Sequence, residues 1–252
     1  HHHHRHHHHR HHHHRHHRRP SLSPRPALPG LTRGLCGEQR IDNPEMYLAP
    51  LDEFAEAVEG DAPEVARFRP LLARTQLERA PLRLAFDAAA HGWAPAAFHA
   101  RLATFGAAVL LGETEGGALF GAYNPKGWVG LGEEKGAQAA FLFTWPEGFT
   151  SAREAVKLRK AGGPALAVTD APEVGPVVGV DALVVPLRAG AERAAKSRLG
   201  TYFERRPDGG RTLFSPAEGG KAQLRSLRAY VAEGGPEQWE LDGIVWKTSR
   251  EE

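Results

Sequence analysis

Cysteine is nearly absent from this chain. Its 252 residues carry one, Cys36, which excludes an internal disulfide framework and a cysteine-rich zinc site and suits a reducing compartment. Long apolar runs are missing as well: no stretch approaches the roughly 18 residues that a membrane-spanning helix needs. Histidine is scarce in the body, because residues 1–19 hold 14 of the 16 and leave only His91 and His99. Their eight-residue separation crosses Gly92 and Pro95 and matches no short metal-ligand pair. Acid is lacking at the start, where residues 1–35 contain seven arginines and no aspartate or glutamate. Taking those seven from the 32 lysines and arginines leaves 25 against 30 acids, so residues 36–252 carry a net −5 although the whole chain is +2. An acidic body excludes a general nucleic-acid binder.

What is present divides into a tail and a body. Residues 1–19 read HHHHRHHHHRHHHHRHHRR, with no apolar side chain to offset the entropy of ordering, and are expected to be disordered. Clustered neutral imidazoles bind zinc, nickel or copper without specificity; no metal site is expected in the folded body. PSLSPRPALPGLTRG, residues 20–34, reads as a linker, so residues 1–40 form one tail and linker. Its acid-poor, Arg- and Ser-rich composition also fits an organelle transit peptide, and no secretory apolar region is present. The chain opens without an initiator methionine, as a fragment would.

Residues 41–80 read as a helical brace. Asn43 and Pro44 look like a helix start. Leu51, Phe54, Ala55 and Val58 then fall on one helical face that ends at Gly60. Asp61 and Pro63 begin a second helix with Val65, Phe68, Leu71 and Leu72 apolar, interrupted at Pro70. Leu82, Leu84 and Phe86 fit a strand or a helix equally. Trp93–Leu102 reads as a short helix with proline in its first turn. After Gly106 the pattern changes to strands. AAVLLGET and GGALFGAYN flank a hairpin signal at Glu113–Gly117, and QAAFLFTW follows. GPALAVTD, PVVGVDALVVPL, TYFERR, RTLFSP, LRAYVAE and ELDGIVWK come next, with Pro207-Asp208-Gly209-Gly210 as a turn between TYFERR and RTLF. Helices first and strands later predict an α+β fold, an antiparallel β-sandwich flanked by helices over residues 81–250.

The chemistry-bearing candidates are few. Gly130–Gly136 lacks both the spacing of GxGxxG and the Gly-Lys-Ser/Thr ending of a phosphate loop, and an apparent strand follows it instead of a helix. No G-x-S-x-G elbow occurs. Cys36 has Arg33 and Arg40 nearby to favour a thiolate, and Glu38 to oppose it. Glu133 and Glu134 would point to opposite faces of a strand, which argues against a glycosidase pair. His91 and His99 read as surface or capping side chains. Two basic clusters remain. Lys157, Arg159 and Lys160 form one, and Lys196, Arg198, Arg205, Arg206 and Arg211 the other. A solvated face is the plain reading of both. Across a TYFERR/RTLF hairpin, the second would form one positive face for an acidic partner or a phospholipid surface.

An ordered series of segments carries a resemblance. Leu84-Ala85-Phe86-Asp87-Ala88 and Gly92-Trp93 lead into Phe98. Ala108-Val109-Leu110-Leu111 precedes Gly117-Ala118-Leu119-Phe120-Gly121-Ala122-Tyr123. Trp128 follows, then Ala140-Phe141-Leu142-Phe143, and Leu241-Asp242-Gly243-Ile244-Val245-Trp246-Lys247 closes the series. Residues 84–247 thereby resemble a TLDc domain, the module of oxidation-resistance proteins, in wording closer to a plant and algal branch. The resemblance implies a β-sandwich in which Asn124–Gly136 is an exposed loop anchored by Trp128. It implies a non-enzymatic protein-binding module linked to oxidative-stress protection, with vacuolar ATPase subunits or another complex as partner. No cofactor, specific nucleic acid or small-molecule substrate is expected. Lys126, Trp128, Glu133, Lys196, Arg198, Arg205, Arg206 and Arg211 are the candidate partner-binding residues. An intracellular protein, cytoplasmic or nuclear, is expected, with an organelle as the alternative from the N-terminus. A structural subunit of a larger assembly and a peroxide-handling enzyme using Cys36 are the alternative functions.

Overall fold

The computed structural model describes residues 47–102, 106–128, 130, 133–135, 137–162 and 167–234. Cys36, the helix start at Asn43, the His/Arg tract and the closing ELDGIVWK segment lie outside these residues.

The chain first runs without regular structure from 47 to 62. No helix forms over Leu51–Val58, contrary to the periodicity. That stretch offers only about two turns, too short to hold a helix unaided. A tertiary bond takes over instead: the Ala55 N–H donates to the Pro70 carbonyl at 2.8 Å. Ala49 and Ala55 are buried while Leu48 and Leu51 stay about 40% and 39% exposed. The second expected helix does form. Helix α1 (Pro63–Phe68) has proline in its first turn, and a 3₁₀ turn, Arg69–Leu72, continues it past Pro70. Val65, Phe68, Leu71 and Leu72 are all buried. Arg69, 1% exposed, ties the segment together. Its guanidinium donates to both Asp61 carboxylate oxygens, at 2.7 and 2.6 Å, and to the carbonyls of Leu77 and Ala80.

Strand β1 (Leu82–Asp87) settles the ambiguity at Leu82, Leu84 and Phe86. Two short helices follow, α2 (Ala88–His91) and α3 (Pro95–Leu102). Asp87 caps α2 by accepting from the Ala89 N–H at 2.9 Å. The remaining strands are β2 (Ala108–Thr114), β3 (Leu119–Asn124), β4 (Glu133–Lys135), β5 (Phe141–Trp145), β6 (Val156–Arg159), β7 (Val168–Asp170), β8 (Val177–Val178), β9 (Leu183–Val184), β10 (Ala194–Lys196) and β11 (Lys221–Ala232). Every strand pairing among the described residues is antiparallel. The strand order is β4-β7-β8-β9-β10-β11-β2-β3-β5-β6, with β1 also on β11. The fold is therefore β-rich α+β.

β11 joins two ladders. Its first residues pair with β10, its later residues pair with β1, and β2 runs along its other edge. A register shift between Leu224 and Ser226 in the β2 pairing bends the strand, as one extra residue in a ladder does.

The β2–β3–β5 strands are buried almost throughout because both faces of the sheet are covered. Leu110, Phe120, Ala122 and Leu142 face one core with Phe86, Phe98, Trp128, Val168, Phe203 and Phe214. Val109, Leu111, Tyr123, Phe141, Phe143 and Trp145 face a second core with Val65, Phe68, Leu71, Leu72 and Leu77. The segment at 63–77 thus supplies the cover for the second face. Two glycines in the β2–β3 hairpin are needed. Gly117 turns the hairpin with φ +91°, and a Cβ on Gly121 would strike the Phe143 ring on the neighbouring strand.

TYFERR and RTLFSP do not form a strand hairpin. Residues 201–214 are coil held by single bonds, with one isolated bridge between Lys160 and Phe203. The turn at Pro207–Gly210 is present, closed by the Gly209 N–H on the Arg206 carbonyl at 2.9 Å. The backbone of the first segment bonds elsewhere: the Ala161 N–H donates to the Tyr202 carbonyl and the Glu204 N–H to the Arg159 carbonyl.

Candidate functional site

The positive charges of the second basic cluster are sorted by the fold. Arg206 is 6% exposed. It grips Asp208 with two nitrogens, at 3.1 and 2.9 Å, and donates to the Phe214 carbonyl at 3.1 Å. Its hydrogen bond and the Gly210 N–H hold the Asp208 carboxyl below the usual carboxylate range. Arg206 is a structural clamp and offers nothing to a partner, which corrects its expected role. Arg205 is exposed; its side chain crosses Gly200, where φ is +99° and a Cβ would collide with it.

Lys196, Arg198 and Arg211 do come together, and Lys221 joins them. They line a groove of about 800 Å³ with Asp181, Val184, Ser197, Thr212, Glu218, Gly219 and Gly220. Three stretches of chain build it: 181–184 around β9, 196–198 at the end of β10, and 211–221 leading into β11. Ser197 locks the floor: its hydroxyl donates to the Ala182 carbonyl at 2.8 Å and accepts from the Leu213 N–H at 3.0 Å. The Arg198 N–H donates to the Asp181 carbonyl, and the Leu199 N–H to the Arg211 carbonyl, which fixes both arginine backbones.

The two carboxylates of the groove are already engaged to different degrees. Glu218 accepts from the Thr114 and Ser215 hydroxyls and from the Gly116 and Ser215 N–H groups. It is a structural acceptor between the β2–β3 turn and the 211–220 loop. Asp181 lies 3.6 Å from Arg198, whose side chain is 76% exposed. Lys196, Arg211 and Lys221 are exposed and form no ion pair among the described residues. The Thr212 hydroxyl accepts from the Phe214 N–H and keeps its own proton to donate. The arrangement can bind an anion.

The other candidates fall elsewhere. Trp128 is fully buried and packs edge-on against Phe98, with ring centroids 5.8 Å apart. It is a core side chain and cannot reach a partner, which corrects its place among the contact residues. The loop it anchors is not a continuous exposed one: Asn124 is buried, donating to the Gly127 carbonyl and accepting from the Lys126 N–H, and β4 pairs with β7. Glu133 is placed by its backbone opposite Asp170. Lys126 and Glu133 are not in the groove. His91 accepts from the Asp87 N–H through Nδ1 at 3.0 Å. His99 is buried, not a surface side chain; its Nε2 donates to the Val174 carbonyl at 2.8 Å, and Nδ1 lies 3.8 Å from Asp170.

The first basic cluster is not a solvated face. Lys157 donates to the Leu71 carbonyl at 2.8 Å and sits 4.1 Å from the Phe141 ring centroid. Burial pulls its ammonium down to about 7, against a smaller opposing pull from Glu53. Arg159 pairs with Glu204 at 3.2 Å. Lys160 is 3% exposed between Tyr202 and Phe203, and burial lowers its pKa too.

The sequence pattern hides Lys221, because LRAYVAE begins six residues after the start of β11. The inward residues run Ala222 and Leu224, then Leu227, Ala229 and Val231. The phase changes by one at the shift between Leu224 and Ser226, so a period-two search breaks there. Reading KAQL as a strand in its own right would have found it.

Among the described residues no group of three or more His, Cys, Asp or Glu is placed to hold a metal ion. No helix there is long and apolar enough to cross a membrane. No family model matches the chain, and no curated protein matches it.

Proposed function

We propose that this chain is a non-enzymatic protein-binding module that receives an acidic surface of its partner in the 181–221 groove. One observation carries the reading. Lys196, Arg198, Arg211 and Lys221 converge on one concavity in a body whose net charge is −5 over residues 36–252. A local field of the opposite sign to the whole body selects for charge-complementary contact and steers encounter. The two antiparallel ladders joined by β11, with helices against them, support a β-sandwich. The TLDc-like wording of residues 84–247 supports a role in oxidative-stress protection, with vacuolar ATPase subunits or another intracellular complex, cytoplasmic or nuclear, as partner.

The test is a pull-down from native extract with full-length wild type and a Lys196→Glu/Arg211→Glu variant as paired baits. Both baits carry the His/Arg tract, so the difference between them reports the groove. A stoichiometric partner held by the wild type and lost by the variant is expected. An identical set on both baits would remove the groove from the function.

A further inference from the structure

The register of β10 on β11 sets Lys196 directly opposite Lys221. Residues in this relation share a face of the sheet with Cβ atoms roughly 4.5–5.5 Å apart, and like charges so placed repel. Neighbouring positions avoid such a clash. Ala195 faces Ala222 and Ala194 faces Gln223, while Arg225 further along the same face of β11 is matched by Glu113 at 2.7 Å. The unmatched like-charge pair occurs where β11 enters the groove. Arg211 and the Thr212 hydroxyl line the same concavity.

We infer that the anion taken between Lys196 and Lys221 is a phosphoryl group, carried on a phosphorylated acidic segment of the partner protein. The inference rests on the proposed acidic-partner reading and deepens it. Its warrant is charge matching. A carboxylate brings one negative charge, whereas a phosphate monoester brings about −1.5 to −2 at neutral pH and three strong acceptor oxygens. Two adjacent ammonium groups need that density to be neutralised at one point. A guanidinium fork such as Arg211 donates to a phosphate or a flanking carboxylate in bidentate fashion. The Thr212 hydroxyl supplies a neutral donor. Asp181 and Glu218 in the groove walls oppose a continuous anionic surface, such as a bilayer, but leave room for one group seated between the lysines.

The experiment is fluorescence anisotropy on the full chain with a labelled Gly-Glu-pSer-Glu-Gly peptide and its Gly-Glu-Glu-Glu-Gly counterpart. Wild type is compared with Lys196→Ala/Lys221→Ala and with Lys221→Glu. The phosphopeptide is expected to bind wild type at least roughly tenfold more tightly than either variant, and more tightly than wild type binds the glutamate peptide. Lys221→Glu turns the repulsion into attraction, so its unliganded melting temperature is expected to lie above that of wild type. This second readout also shows that the variant folds. Equal binding of both peptides with the same lysine dependence would overturn the phosphoryl assignment and leave the acidic-partner reading standing. Equal phosphopeptide binding by wild type and both variants would overturn both. Lysine-dependent binding of phosphatidylcholine vesicles doped with phosphatidylinositol 4,5-bisphosphate, without phosphopeptide binding, would overturn the protein source in favour of a membrane. An unliganded Lys221→Glu no more stable than wild type would refute the unrelieved lysine pair.

Discussion

A Lys157→Met substitution probes how the 63–77 segment is held against the sheet. Lys157 lies where that segment meets β6, donating to the Leu71 carbonyl and resting over the Phe141 ring. Its ammonium is brought from 10.5 down to about 7 by burial. Between those values the unfolded chain carries a proton on this lysine that the folded chain does not. Stability therefore rises with pH from about 7 to about 10.5, and the full cost of the buried charge is present below 7. A span of about 3.5 pH units at about 1.36 kcal/mol each amounts to roughly 5 kcal/mol. Methionine keeps the stem and discards the charge, at the loss of a hydrogen bond worth about 1 kcal/mol. Urea denaturation of both proteins at intervals from pH 6 to pH 10 measures the difference, in which groups that titrate alike cancel. The variant is expected to be the more stable at pH 6, with its advantage shrinking by about 1.4 kcal/mol per unit above pH 7. A difference that stays level across the range would show that Lys157 keeps its charge in the folded protein, and the reasoning would fail.

Arg69→Ala leaves Asp61 and the Leu77 and Ala80 carbonyls without their donor and is expected to cost roughly 3–5 kcal/mol in denaturant titration. Trp128→Ala opens a cavity beside Phe98 and is expected to cost roughly 3–5 kcal/mol, without altering capture of a groove-dependent partner. Gly121→Val drives a side chain into the Phe143 ring and is expected to cost at least about 1–3 kcal/mol by the same titration. Arg206→Ala frees the Pro207–Gly210 turn and is expected to lower the melting temperature, with proteolysis appearing first in the 206–214 segment.

The strand–hairpin–strand run from Ala108 to Asn124 could be read directly, because each strand is a short apolar run and the turn between them carries glycine at a position with φ +91°. Pro63, with apolar residues at Val65, Phe68, Leu71 and Leu72, announced α1 for the same local reason. The Leu51–Val58 segment had equal periodicity and formed no helix, since its hydrogen bond to Pro70 comes from another part of the chain. The site was half legible. Lys196, Arg198 and Arg211 stood out as a basic cluster, yet Arg205 and Arg206 stood out as strongly.

Sequence by itself determined the local quantities: charge by segment, turn positions, and the acidic body behind a basic tail. Each depends on residues a few positions apart. Tertiary structure alone decided which cations meet. A one-residue shift in β11 alters which residues face inward, the register sets Lys221 beside Lys196, and burial turns Arg206 from a contact into a clamp. Strand register and burial are set by partners tens of residues away, so no window along the chain contains them.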